Sequence, residues 1–213
     1  MKGFVLKDLY TIKSFGKQYG LVLAFMLIWA IFMKTIAFIY VYSIMMGAMM
    51  ILSVISLDEA VSFNRFALTM PVNARMLIKE KYLLFIITTG MGAVISVATN
   101  LIMILLPFQA IQEFSWREMM PVLTVFVIGT AIALPVIFKM GAEKGRYAYI
   151  AAMLGMGAVI YVGVKMCHHY GISLDGMETM SGVLYGGAFA VICIISLVIS
   201  YLASIRLIKN KQW

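Results

Sequence analysis

Residues able to do acid, metal or nucleophilic chemistry are sparse in this 213-residue sequence, with 17 Lys and Arg, 9 Asp and Glu, 2 His and 2 Cys. Cys167-His168-His169, followed by Asp175 and Glu178, puts a thiol, imidazoles and carboxylates in one segment, the donor types of a transition-metal site. Adjacent residues rarely aim at one ion and the sequence has no second His group, so the run reads as a hydrated loop or outer gate, and no residue is assigned as a metal ligand. Glu113, Arg117 and Glu118 read as a polar rim, with Ser115 a possible helix cap. The long apolar stretches carry no ionisable side chain clearly at their centres, which disfavours proton relays and intramembrane hydrolases, whose chemistry retains costly charges there. No residue is assigned a catalytic role. The polar side chains inside those stretches (Ser43, Ser53, Thr88, Thr89, Ser96, Thr99, Asn100, Thr124, Thr130, Ser196, Ser200) read as hydrogen bonds between helices. Asn100 is the exception, because a whole amide must be satisfied in lipid. Met45, Met46, Met49 and Met50 could line an adaptable apolar path, since Met is flexible and polarizable, although core filling is the competing reading. Met45, Met49 and Asn100 are thus the candidates for a substrate path.

The elements that hold these residues follow from composition. Hydrophobic residues make up 63% of the chain and charged ones 12%, against about 45–50% and about 25% in soluble domains, so the chain cannot cover itself with polar surface. A mean hydropathy of +1.00 agrees. About 20 apolar helical residues cross a bilayer, and six such stretches are predicted, over about 18–33, 35–57, 82–107, 119–138, 147–165 and 179–205. Lys2, Lys7, Lys13 and Lys17 precede an apolar run as in a signal peptide, but five more spans follow and no good cleavage site is visible, so the segment is read as retained. Fourteen basic residues fall in the N-terminal segment, the 58–81 loop, the 139–146 turn and the C-terminal tail; three, Lys34, Arg117 and Lys165, fall opposite. The positive-inside rule then predicts cytoplasmic N- and C-termini. The net charge of +8 is a topology signal, with contact to anionic lipid secondary and nucleic acid not a partner. Cys167 and Cys193 are too few for a disulfide framework and differ in depth. Small residues (Gly90, Gly92 and Ala93; Ala151 and Gly155; Gly157 and Ala158; Gly182, Gly186 and Gly187) mark places where helices can approach closely.

The 58–81 loop is longer than a connector needs. Ser56-Leu57-Asp58-Glu59 fits a capping box that opens a short helix, Met70-Pro71 ends it, and Asn73 can cap a second helix through Arg75, Lys79 and Lys81. Phe63, Phe66 and Met70 fall at i, i+3 and i+7, an apolar face suited either to a groove in a partner or to the lipid headgroups. In the second cytoplasmic feature, Gly141 and Gly145 suit a turn or helix end, while Glu143 and Arg146 can pair with each other or with another chain.

The sequence resembles the bacterial permeases of type-2 ABC exporters, in particular the short six-span group. The likeness rests on Met1-Lys2-Gly3 and Leu6-Lys7-Asp8-Leu9-Tyr10, on Asp58-Glu59, on the run from Phe66 through Met70-Pro71-Val72-Asn73-Ala74-Arg75, on Lys81-Tyr82-Leu83, and on the run from Phe138 to Arg146. It departs at Ser62-Phe63-Asn64-Arg65, where an aromatic-rich stretch is usual, and at Met70, which replaces a Leu. The resemblance implies an all-α membrane protein of type-2 ABC exporter permease fold: a membrane-surface elbow helix over 1–17, then six transmembrane helices, with two permease chains paired as a homo- or heterodimer around a path. It also implies that the 58–81 loop is a coupling helix seated in a groove of a cytoplasmic ATPase subunit, with Phe63, Phe66 and Met70 as anchors and Asp58, Glu59, Arg65, Pro71, Arg75, Glu143, Lys144 and Arg146 around them. Val5, Leu9 and Ile12 match the elbow's apolar face only loosely.

The sequence has no G-x-x-x-x-G-K-[ST] and no cytoplasmic segment long enough for an ATPase domain, so the chain is expected to bind no cofactor itself and to leave ATP and Mg to the partner. The function expected is the permease subunit of an ATP-driven exporter of a hydrophobic or amphipathic molecule, such as a small peptide or a lipid-like compound. Two alternatives are a non-transporting membrane interaction or immunity protein, and a membrane enzyme using His168 and His169.

Overall fold

A computed structural model describes residues 2–33, 37–63, 74–105, 116–169 and 182–209. Among the described residues there are six long α-helices and no strand: α1 (Lys2–Met33), α2 (Ala37–Ala60), α3 (Ala74–Leu105), α4 (Trp116–Met140), α5 (Ala142–His169) and α6 (Gly182–Lys209). All six are long and apolar enough to cross a membrane. In lipid, a helix satisfies its own backbone, which is why nearly featureless apolar runs fold this way.

The helices begin and end differently from the sequence reading. The separate elbow over 1–17 and span over 18–33 are one continuous helix, α1. No Pro interrupts it, and the Thr11 and Ser14 hydroxyls bond back to the Lys7 and Thr11 carbonyls in the turns before residue 17. Asp58 and Glu59, placed at the start of a loop helix, form the last turn of α2, so the capping box at Ser56 is not made. That helix stops at Ser62, whose φ of 52° lies in the left-handed region; Val61 N–H bonds to the Leu57 carbonyl and Ser62 N–H to the Glu59 carbonyl. The proposed cap Asn73 lies outside the described residues, and α3 runs from Ala74 without a break into its span. Between α4 and α5 the chain turns on Gly141 alone, at φ 93°, a conformation that only Gly adopts without cost. Gly145, the other expected breaker, sits inside α5, where a Cβ would overlap the Ile137 side chain.

Packing centres on α2 and α4, which carry most of the buried side chains. Ala48, Ile51, Val54 and Ile55 of α2 form one buried cluster with Ile78, Leu84 and Phe85 of α3, and Ala133, Leu134 and Ile137 of α4. The α2–α3 contact is backbone to backbone. A Cβ on Gly47 would sit 2.6 Å from the Thr88 carbonyl oxygen, and one on Gly92 would sit 2.5 Å from that of Ser43. By contrast, at Gly90, Gly155, Gly157, Gly186 and Gly187 no atom among the described residues, each glycine's own helix backbone aside, lies within 4 Å of where a Cβ would be, so these glycines mark no close helix contact among the described residues.

Most of the span hydroxyls expected to join helices instead bond to their own helix: Ser53 to the Met49 carbonyl, Thr88 to Phe85, Thr99 to Ile95, Thr130 to Phe126 and Ser196 to Cys193. Thr124 does so at Met120 and also receives the Cys193 thiol at 3.6 Å. Ser200 crosses between helices, and the reason is Pro135 in α4. Proline has no N–H, so the carbonyl four residues earlier, Ala131, loses its helical partner. The Ser200 hydroxyl of α6 donates to that carbonyl at 2.5 Å and shares a hydrogen bond with Tyr82 of α3 at 2.6 Å. Tyr82 also reaches Ser204 at 2.8 Å and packs edge-on against Tyr201.

Candidate functional site

Chemically active side chains converge at one end of the bundle, where α1 begins, α2 ends, α3 begins and α4 turns into α5. Lys7 and Asp8 come from the second turn of α1, Asp58 from the last turn of α2, and Glu80 and Lys81 from the second turn of α3. Asp8 is fully buried, and Asp58, Glu80 and Lys81 are each no more than 6% exposed. Lys81 Nζ lies 2.5 Å from Asp8 Oδ2 and 2.5 Å from Asp58 Oδ2. Lys7 Nζ closes the ring at 2.5 Å from Asp58 Oδ1 and 3.0 Å from Asp8 Oδ1. Glu80 Oε1 is 3.9 Å from Lys81 Nζ. A buried ion is tolerated only when paired and hydrogen-bonded, so these groups fix the relative placement of three helix ends.

The ring holds both ends of the 58–81 loop. Asp58 is the last turn before it and Lys81 lies just after it, and the two are ion-paired. Glu59, the next residue on α2, faces the other way. Its Oε2 accepts the Ala142 N–H at 2.5 Å, capping the first turn of α5 with a negative charge. The close fit of Gly141 against this carboxylate, 2.6 Å from Oε1 to a hypothetical Cβ, shows why that turn has no side chain. An open cleft of about 390 Å³ lies beside it, lined among others by Ser56, Glu59, Glu143, Lys144 and Arg146.

These positions revise the partner-facing set drawn from the sequence. Asp58 is spent inside the chain, and Glu59 on α5. Phe63 packs edge-on against Phe4 at 5.9 Å, with Lys7 Nζ 3.5 Å from its ring centroid, so it is engaged within the chain. Arg75, Glu143, Lys144 and Arg146 are exposed, and no ion pair joins Glu143 to Arg146 among the described residues. Arg65, Phe66, Met70 and Pro71 lie outside the described residues.

The methionine stripe is also shifted. A cavity of about 50 Å³ between α1, α2 and α3 is lined by Met46 and Met50, not Met45 and Met49, together with Tyr19, Tyr42, Ser43 and Met91. Met49 packs against the main core. The face of α2 turned to α1 and α3 follows positions 43, 46, 47 and 50, a helical stripe on which 45 and 49 do not fall. The side chains of Asn100, Cys167, His168 and His169 lie outside the described residues.

Sequence reasoning missed Lys7, Asp8, Glu80 and Lys81 as one unit, and Tyr82, Ser204 and Gly47. One signal was present: three successive helices each carry a charge at the same end, with both signs represented, where a lone charge would be costly.

Among the curated proteins and among the solved structures, none matches the chain. The family model described as "ABC-2 family transporter protein" matches residues 3–209. The chain therefore belongs to the ABC-2 transporter permease family and is a multi-pass membrane transport subunit.

Proposed function

We propose that this chain is the permease of an ATP-driven exporter for a hydrophobic or amphipathic molecule, powered by a separate cytoplasmic ATPase that binds the loop end of the bundle. ATP-dependent closure of the ATPase pair would displace the 58–81 loop and switch the helices between two arrangements. The observation that carries this reading is the ion ring. Asp58 and Lys81 tie both ends of the loop to each other and, through Asp8, to α1, while Glu59 ties the loop's base to α5. A push on the loop therefore reaches four helices instead of being lost in a flexible connector. The exposed Lys144, Arg146 and Arg75, together with Arg65, Phe66, Met70 and Pro71 of the loop sequence, are assigned to the contact surface in this reading.

The test is association with the ABC ATPase subunits of the same genome, by co-purification and by titration in detergent. Lys144→Glu with Arg146→Glu is expected to weaken association at least about tenfold, as reversing charges at a docking surface does, with thermal unfolding unchanged. Undiminished association, or no association by the unsubstituted chain, overturns the proposal. Reconstituted ATP-dependent substrate movement separates this reading from a non-transporting interaction protein.

A further inference from the structure

The ion ring at the loop end balances without Glu80. Lys7 and Lys81 are positive, and Asp8 and Asp58, which they contact, are negative. Glu80 adds a fifth group that is 1% exposed, and neither of its carboxyl oxygens accepts a hydrogen bond among the described residues. Lys81 Nζ, 3.9 Å from Glu80 Oε1, is too far to donate and is already committed to Asp8 and Asp58 at 2.5 Å each. A carboxylate left ionised, buried and unpaired in this way is among the costliest groups a fold can hold. What Glu80 does meet is another carboxyl: its side chain lies within hydrogen-bonding reach of Asp8, which is fully buried. Two carboxyls in contact out of water do not both ionise.

We infer that Glu80 is a proton-binding site: held as the neutral acid, it donates its O–H to Asp8 and so joins the start of α3 to the start of α1 only while the proton is bound. The proton sits on Glu80 and not on Asp8. Asp8 faces Lys81 Nζ at 2.5 Å and Lys7 Nζ at 3.0 Å, contacts that favour its ionised form, whereas Glu80 accepts nothing. The charged groups facing Glu80 are Lys7 and Asp8 of α1 and Lys81 of its own helix, with Asp58 of α2 reached through Lys81. A metal ion is excluded as the occupant, because ammonium groups at 3.0 Å from Asp8 and 3.9 Å from Glu80 would repel it. The Lys7 side chain, 33% exposed, marks the side on which the proton enters and leaves. Release of the proton sets an uncompensated negative charge beside Asp8, and the two helix ends must then separate or admit water. Opening of the joint and loss of the proton are one event, so rising pH favours the open arrangement. The joint is internal to the chain, so this inference and the ATPase partnership stand or fall independently.

The test uses the full chain in detergent. Infrared spectroscopy at neutral pH is expected to show the carbonyl stretch of a buried carboxylic acid, moved by carbon-13 labelling of the glutamate carboxyls and absent from Glu80→Gln. That variant keeps the size of the side chain and supplies a permanent N–H donor to Asp8. Between about pH 6 and about pH 9, the folding equilibrium constant should fall by up to about tenfold per pH unit relative to that of Glu80→Gln, because the fold keeps a proton that the unfolded chain has released. Spin labels at the exposed Leu6 and Lys79 should move apart over that range in the unsubstituted chain and hold their spacing in Glu80→Gln. The labelled infrared band and the spin-label distance are both read in the Glu80 chain, so the proposal remains open to refutation if the variant does not fold. No acid band at neutral pH, a band that the glutamate label does not move, or a spacing that does not change with pH overturns the proposal.

Discussion

Ser200 gives the sharpest test of how the bundle is held, because its role follows from a proline on another helix. Ser200→Ala deletes the donor to the Ala131 carbonyl and one of two partners of the Tyr82 hydroxyl. Tyr82 keeps Ser204 at 2.8 Å, so the serious loss is the carbonyl, which Pro135 has already deprived of its helical N–H. Leaving one buried acceptor unsatisfied costs about 1–3 kcal/mol, and for a chain of this size each kcal/mol lowers the unfolding midpoint by about 2–4 °C. A fall of about 2–12 °C is therefore expected for purified protein by thermal unfolding in detergent. The informative variant is the double. Pro135→Ala restores an N–H four residues beyond Ala131, so in that background the serine becomes dispensable. The cycle should show coupling of about 1–2 kcal/mol, with Ser200→Ala nearly silent beside Pro135→Ala. Additivity within about 0.5 kcal/mol would refute the argument that the serine substitutes for the missing backbone donor.

Other substitutions probe neighbouring claims. Lys81→Met leaves Asp8 and Asp58 with Lys7 alone and should destabilise by about 3–5 kcal/mol in the same assay, whereas adding Asp8→Leu should recover much of that loss. Glu59→Ala should cost about 0.5–2 kcal/mol through the uncapped start of α5, with Glu59→Gln retaining most of the stability; equal losses would show that the carboxamide oxygen cannot take over the cap. Gly92→Ala must push α2 and α3 apart and should cost about 1–3 kcal/mol, while Gly155→Ala, with open space around it, should change stability by less than about 0.5 kcal/mol. Similar effects at both glycines would show that the α2–α3 contact is not tight.

Fold class was legible because the bilayer imposes it. Six apolar runs of sufficient length have no alternative to helices, and the family match over residues 3–209 agrees with the resemblance to type-2 ABC permeases. Helix ends were less legible, since lipid does not set them. At the ends of α1 and α2, Asp8 and Asp58 pair with Lys81, a contact 73 residues distant from the first and 23 from the second. Local caps and charge runs carry no information about such pairs. Asp58 looked available for a partner for the same reason: its type and position are polar and terminal, and only the fold shows that it is consumed internally. The turn at Gly141 was read correctly because the requirement is local. Which of the four methionines face a cavity was not legible, because the run Met45, Met46, Met49 and Met50 does not say which stripe faces the neighbours; Met46 and Met50 line the cavity and Met49 packs against the core.

Asp58 and Glu59 are consecutive, about 100° apart around the α2 axis, and each is committed to a different side of the molecule. The final turn of α2 thus works as a keyed shaft. Adding or deleting one residue between Gly47, where α2 touches α3, and Asp58 would rotate both keys out of their slots together. The length of that eleven-step segment is therefore constrained far more tightly than its side-chain identities, which need only remain apolar on the inward stripe.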